Sequence, residues 1–244
     1  MKQLVLMIQF LTRLPIKLAL DVGDEDFTKG FKYFPVVGSI IGGLIYAIHF
    51  LLHPYLNSFT LAVILTISYL YITGGLHMDG LSDTADGLFS GRSKERVLEI
   101  MKDSRIGSNG ALAMVFVVLL KIAFIAEIES VDLGRVLFVM PMVSKYTVVF
   151  VSTFSSYARQ DGMGNWFIGK VKPLDFVFST VFTILVLLLV DPNFWILLLG
   201  GLIFAWVFRR FCYNQIDGLT GDTIGALSEL TDVIVLCVAA LFIV

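Results

Sequence analysis

Three aspartates fall within the run GGLHMDGLSDTADGLFSGR: Asp79, Asp83 and Asp86. Continued as a helix at about 100° per residue, Asp83 lies about 40° and Asp86 about −20° from Asp79, so the three carboxylates share one face. Groups placed so repel each other unless a cation stands among them. Mg²⁺ suits the position, because it takes carboxylate oxygens and keeps waters and substrate phosphates as its other ligands. The spacing therefore points to Mg²⁺ held by Asp79, Asp83 and Asp86, and to a substrate that carries phosphate. Asp-Gly pairs also cap helices and build turns, but a cap needs one carboxylate and not three. His77, two residues ahead of the first aspartate, is a candidate general base for a hydroxyl nucleophile; a structural, hydrogen-bonded histidine is the competing reading.

A second acidic run, DGLTGDTIGALSELTD, supplies Asp217, Asp222, Glu229 and Asp232, and DGLTGDT differs from DGLSDT by one inserted glycine. Glu229 and Asp232 sit inside an otherwise apolar stretch, where an ionised carboxylate costs several kcal/mol unless it is paired, hydrated or metal-bound. Lys121 and Lys145 lie in apolar stretches too, and could pair with these acids or with phosphate oxygens. Between the acidic runs, KDSRIGSNG brings Lys102, Asp103 and Arg105 with two serines and flexible glycine amides ahead of an apolar segment, the parts of a phosphate-binding turn at a helix N-terminus. YARQDGMGNWF adds Arg159 and Asp161 among aromatics.

The elements that must carry these residues are membrane helices. Of 244 residues, 57% are hydrophobic and 16% charged, and the mean hydropathy is +0.86. About 20 apolar residues span a bilayer. Seven such runs can be marked, at about 34–52, 59–77, 110–128, 134–151, 174–190, 194–210 and 226–244. The fold expected is an all-α integral membrane protein with one polytopic domain over 1–244. An interfacial helix precedes it in MKQLVLMIQFLTRLP, and an amphipathic cytoplasmic helix falls in RSKERVLEIMKD. Fifteen of the 18 Lys and Arg flank one set of loops, Arg135 alone flanks the other, and Lys121 and Lys145 lie within spans. The positive-inside rule makes the richer set cytoplasmic, with the N-terminus inside and the C-terminus outside. Both acidic runs then lie on the cytoplasmic face. A net charge of −2 and the lack of a basic, aromatic-interleaved tract argue against nucleic acid. Cys212 and Cys237 lack the spacing of a metal or disulfide framework.

GGLHMDGLSDTADGL, MKDSRIGSNGALA, YARQDGMG and DGLTGDTIGALSEL, together with the opening QFLTRLPI and FPVVGSIIGGL, resemble in content and order the cobalamin synthase family, the adenosylcobinamide-GDP ribazoletransferases. The resemblance extends over nearly the whole chain. It implies a multi-pass enzyme of the cell membrane that joins adenosylcobinamide-GDP to α-ribazole or its 5′-phosphate, releases GMP and requires Mg²⁺. Under that reading Asp79, Asp83 and Asp86 anchor Mg²⁺ and diphosphate, and Lys102 and Arg105 are phosphate ligands. Asp222 with Glu229 forms a second metal or nucleophile-orienting group, and Asp103, Lys145, Arg159, Asp217 and Asp232 complete the substrate contacts. Lys145 stands where that family's pattern leads one to expect arginine, and lysine cannot make the same bidentate contact. Homo-oligomers, or association with other enzymes of the cobalamin pathway, stay open.

Other classes share parts of this pattern. CDP-alcohol phosphotransferases use an Asp-Gly-rich boundary motif with Mg²⁺, but with Ala-Arg soon after the first Asp-Gly, where this chain has Ser82 and Asp83. Membrane prenyltransferases hold diphosphate between two aspartate-rich helices. A transporter would place its acids near the bilayer midplane, whereas here they gather at one face.

Overall fold

The computed structural model describes residues 1–128 and 130–243, which form helices joined by turns. Among them there is no strand, only one isolated bridge between Tyr157 and Leu219. The amphipathic helix α1 (Lys2–Leu11) buries Leu6, Met7 and Leu11. Next, α2 (Asp24–Gly30) opens with Asp24, Glu25 and Asp26, whose charge favours the positive end of the helix dipole. A 3-10 turn, Phe31–Tyr33, leads into α3 (Phe34–Leu52), which starts with Pro35 where its missing N–H costs nothing.

The apolar run expected to span 59–77 is divided. After the Asn57 side chain caps α4 (Ser58–Thr73), Gly74 and Gly75 both take positive φ, 67° and 69°, and the chain re-enters α5 (Leu76–Leu88) at 93° to α4. Only a residue without Cβ adopts two such conformations in succession at little cost. Because the two halves are nearly perpendicular, both cannot follow the membrane normal. The apolar half is α4, and the aspartates are carried on α5, nearly perpendicular to it.

The short α6 (Lys94–Ile100) follows, then α7 (Ser108–Glu127), α8 (Ser130–Thr153), α9 (Pro173–Val190), α10 (Trp195–Ile216) and α11 (Gly221–Phe242). By length and composition six helical stretches can cross a membrane, or up to seven if the bent pair of α4 and α5 counts as one span. Among the spans, α8 is the most buried and forms the central column, whereas α7, α9 and α10 turn long apolar faces such as Leu119, Leu189 and Val207 outward. Surfaces of that kind belong in lipid, so the chain is a multi-pass membrane protein. The column is seated by Gly38 and Gly42 of α3, where a Cβ would run into the backbone of Pro141 and Phe138, the close small-residue packing that joins helices when water cannot drive them together.

Candidate active site

The site is built where α5 crosses α11. A Cβ on Gly80 would lie 2.8 Å from the carbonyl oxygen of Asp222, and one on Gly225 would lie 3.3 Å from Cα and O of His77. Gly80 directly follows Asp79, so the approach that joins the helices also brings the carboxylates of the two acidic runs together. Asp79, Asp222 and His77 line one cavity of about 150 Å³, roofed by Phe10, Phe34, Met163 and Phe167. Thr220 caps α11 by accepting from the Thr223 N–H at 3.2 Å, which fixes the turn that presents Asp222.

Arg159 reaches the site through a backbone clasp. The Ala158 N–H donates to the Leu219 carbonyl at 2.8 Å and the Leu219 N–H to the Ser156 carbonyl at 3.0 Å. Its Nη2 lies 2.8 Å from Asp222 Oδ2, a charge contact without hydrogen-bond alignment, and its buried Nε has no hydrogen-bond partner among the described residues. A guanidinium with an open donor can take a further acceptor. Arg159 also lines a second cavity of about 470 Å³ with Lys94 and Lys102.

Asp83, half-buried one turn beyond Asp79, has its carboxyl pushed up to about 6, first by burial and then by the neighbouring charges of Asp222 and Asp79, with Arg159 opposing. The cluster thus holds more negative charge than its own cation balances. Asp79, Asp83 and Asp222 are hard oxygen donors from two helices, a set that fits Mg²⁺. Among the described residues no three His, Cys, Asp or Glu form a ready-made metal cage, and Mg²⁺ characteristically completes its shell with water and substrate phosphates.

The remaining candidate residues are placed elsewhere. Asp86 turns away from the other two: its carboxylate accepts from the Gly107 N–H at 2.7 Å and the Gly110 N–H at 2.9 Å, so it caps α7. Sharing a helical face did not guarantee sharing a ligand, because these open amides at the start of α7 compete for the carboxylate. Asp217 stops α10 in the left-handed region, φ 54°, and pairs with Lys94 at 2.7 Å on the surface. Asp103 and Arg105 pair with each other, 3.0 Å from Nε to Oδ1, and Arg105 is exposed. Glu229, Asp232 and Lys145 are fully buried in a network with Lys121 and Tyr69, so no substrate touches them in this conformation. The fusion of Gly80 and Gly225 into the crossing, and the part played by Tyr69, went unread in the sequence. The first had a signal, a glycine within each acidic run; a lone tyrosine in an apolar span had none.

Fold and site define a multi-pass membrane protein with an acidic cavity where two helices cross, one of its aspartates paired with an arginine. The profile of the cobalamin-5-phosphate synthase family matches residues 3–240, and the chain belongs to that family. Proteins named adenosylcobinamide-GDP ribazoletransferase are similar along almost their full length. That of Clostridium novyi (strain NT) is 41% identical over 96% of this chain and 94% of its own. That of Clostridioides difficile (strain 630) is 41% identical over 97% and 96%, and that of Alkaliphilus metalliredigens (strain QYMF) 41% over 95% and 92%. No solved structure matches the chain.

Proposed function

We propose that the chain joins adenosylcobinamide-GDP to α-ribazole or its 5′-phosphate, releasing GMP and forming adenosylcobalamin or its 5′-phosphate, a late step of cobalamin synthesis. The observation that carries this reading is the meeting of Asp79 and Asp222, from two separate acidic runs, in one cavity with Arg159 against it. That is the arrangement a diphosphate needs, and the family membership supplies the substrate.

In the reaction a ribose hydroxyl attacks the phosphorus on the cobinamide side of the diphosphate. The new P–O bond forms as the bond to the bridging oxygen breaks, and GMP leaves with the electron pair. Asp79, Asp83 and Asp222 would hold Mg²⁺, which when bound offsets charge on the transferred phosphoryl group. Arg159, with its open Nε, faces the same charge and needs little rearrangement to do so. Lys102 and Lys94, in the adjoining cavity, lie on the side suited to the departing nucleotide. His77 is the candidate acceptor of the hydroxyl proton: it lines the cavity, and its buried Nδ1 has no partner among the described residues. The apolar roof of Phe10, Phe34 and Phe167 limits water that would compete as nucleophile.

The charge asymmetry of the loops supports a site facing the cytoplasm in a cell membrane, with the N-terminus inside and the C-terminus outside. The deciding assay is GMP release by protein in lipid discs, given adenosylcobinamide-GDP and α-ribazole with and without Mg²⁺. Mg²⁺-dependent GMP matched by corrinoid product is expected. Well-folded protein that makes neither would refute the reading and return CDP-alcohols and prenyl diphosphates as substrates to try.

A further inference from the structure

Four charged side chains and a tyrosine meet in the middle of the helical bundle. Lys121 Nζ of α7 donates to Glu229 Oε2 at 2.6 Å and to Asp232 Oδ2 at 2.9 Å, both on α11. The Tyr69 hydroxyl of α4 donates to the same Asp232 oxygen at 2.7 Å, and Lys121 Nζ stands 4.5 Å from the centre of the Tyr69 ring. Lys145 Nζ of α8 donates to Ser228 Oγ at 2.8 Å and approaches the Tyr69 hydroxyl at 3.4 Å. All four charged residues are at most 2% exposed.

Stability alone does not account for such a cluster. Apolar residues of similar volume are often as stable as a buried ion pair or more so. This cluster also leaves Glu229 Oε1 and Asp232 Oδ1 buried without hydrogen-bond partners among the described residues. What it does supply is direction. Side chains of α4, α7 and α8 all bond to α11 within the five residues Ser228 to Asp232, so that rotating α11 would break hydrogen bonds to three helices. Glu229 lies seven residues beyond Asp222, which at about 100° per residue sets the two within about 20° of each other around the helix axis. Gly225, midway between them, is where α11 touches the backbone of His77.

We propose that Lys121, Lys145, Glu229 and Asp232, with Tyr69, form a positioning network that fixes the rotation of α11 and thereby the aim of Asp222 at α5. The inference rests on the transferase reading above for its effect on turnover, but not for its effect on α11. These residues act through Asp222 and do not contact substrate.

The test uses full-length protein in lipid discs and a Cys212→Ala background, with a spin label on Cys237, the half-buried cysteine of α11. In Glu229→Gln the label's spectrum should change. The kcat should fall about 10- to 100-fold, as expected of a displacement near 1 Å, while KM for adenosylcobinamide-GDP stays unchanged. Lys121→Met combined with Glu229→Leu leaves one lysine opposite one acid. It should return the Tm towards wild type yet leave kcat low, which a merely structural network would not do. Recovery of kcat together with Tm in the paired variant would overturn the proposal, as would an unmoved label and full kcat in folded Glu229→Gln. Wild-type protein that releases no GMP would defeat the transferase reading instead. The Cys237 label would then decide alone, an unmoved signal rejecting the network's hold on α11.

Discussion

Asp83 and Asp86 stand three residues apart on α5 and do different work. Asp86 answers the open amides of α7, so Asp86→Ala should cost about 1–2 kcal/mol as the loss of a helix cap, lowering the Tm while the folded fraction keeps its Mg²⁺ dependence. Asp79→Asn and Asp222→Asn should instead leave the Tm nearly unchanged, raise the Mg²⁺ needed for half-maximal activity, and reduce activity by about 100-fold or more, beyond what loss of a residue supporting a metal ligand costs. Steady-state GMP release across a Mg²⁺ series separates the two behaviours. Asp83 adds a pH signature. Its folded-state carboxyl is raised from 3.8 to about 6, so between those values the folded chain keeps a proton that the unfolded chain has lost. That contribution stabilises the fold fully below the unfolded value and is lost as pH rises through about 6. Mg²⁺ binding should expel the proton. Calorimetric titration near pH 5.5 in buffers of different ionisation enthalpy should therefore detect proton release, and Asp83→Asn should abolish it.

At the scale of elements, the crossing of α5 on α11 is the decisive contact. A side chain at Gly80 meets backbone, which cannot swing aside as a flexible side chain would. Gly80→Val should push the helices apart and cost about 1–3 kcal/mol, the usual penalty of overpacking, with loss of GMP release in whatever fraction still folds. Gly23→Ala is the control, since nothing lies within 4 Å of a Cβ there and its φ is −112°; turnover should match wild type, with any fall in Tm limited to the weaker cap alanine gives α2. The perpendicular turn at Gly74–Gly75 has the companion role of turning α5 across the bundle, so that Leu81, Ala85 and Leu88 are buried while Asp79 stays exposed.

For the molecule as a whole, charge and hydropathy set the placement in the membrane. The opposite end from the site carries Arg135, held between Asp132 and Asp191, so its single cation is neutralised where the proposed cytoplasmic end keeps a surplus. In a cysteine-free background, a cysteine at Ser93 should react with a membrane-impermeant maleimide only in inverted vesicles, and one at Asn193 only in intact cells. The reverse pattern would refute the proposed orientation.

Much of this was legible in the linear sequence because its physical determinants are local. Hydropathy over some twenty residues marks a membrane helix whatever it packs against, and the pairing of Asp with Gly at α5 and α11 marked both walls of the cavity. Buried acids in an apolar run demanded partners, and Lys121 and Lys145 were the available cations. What spacing could not decide was competition among partners distant in the chain. Asp79, Asp83 and Asp86 share a helical face, yet the amides of Gly107 and Gly110 claim Asp86, and Asp222 takes its place beside the other two. Glu229 and Lys145 have the composition of a site, and the packing of four helices closes them off from one. A carboxylate's role follows from which donor or cation reaches it at the least desolvation cost, and only the tertiary arrangement of the helices settles that.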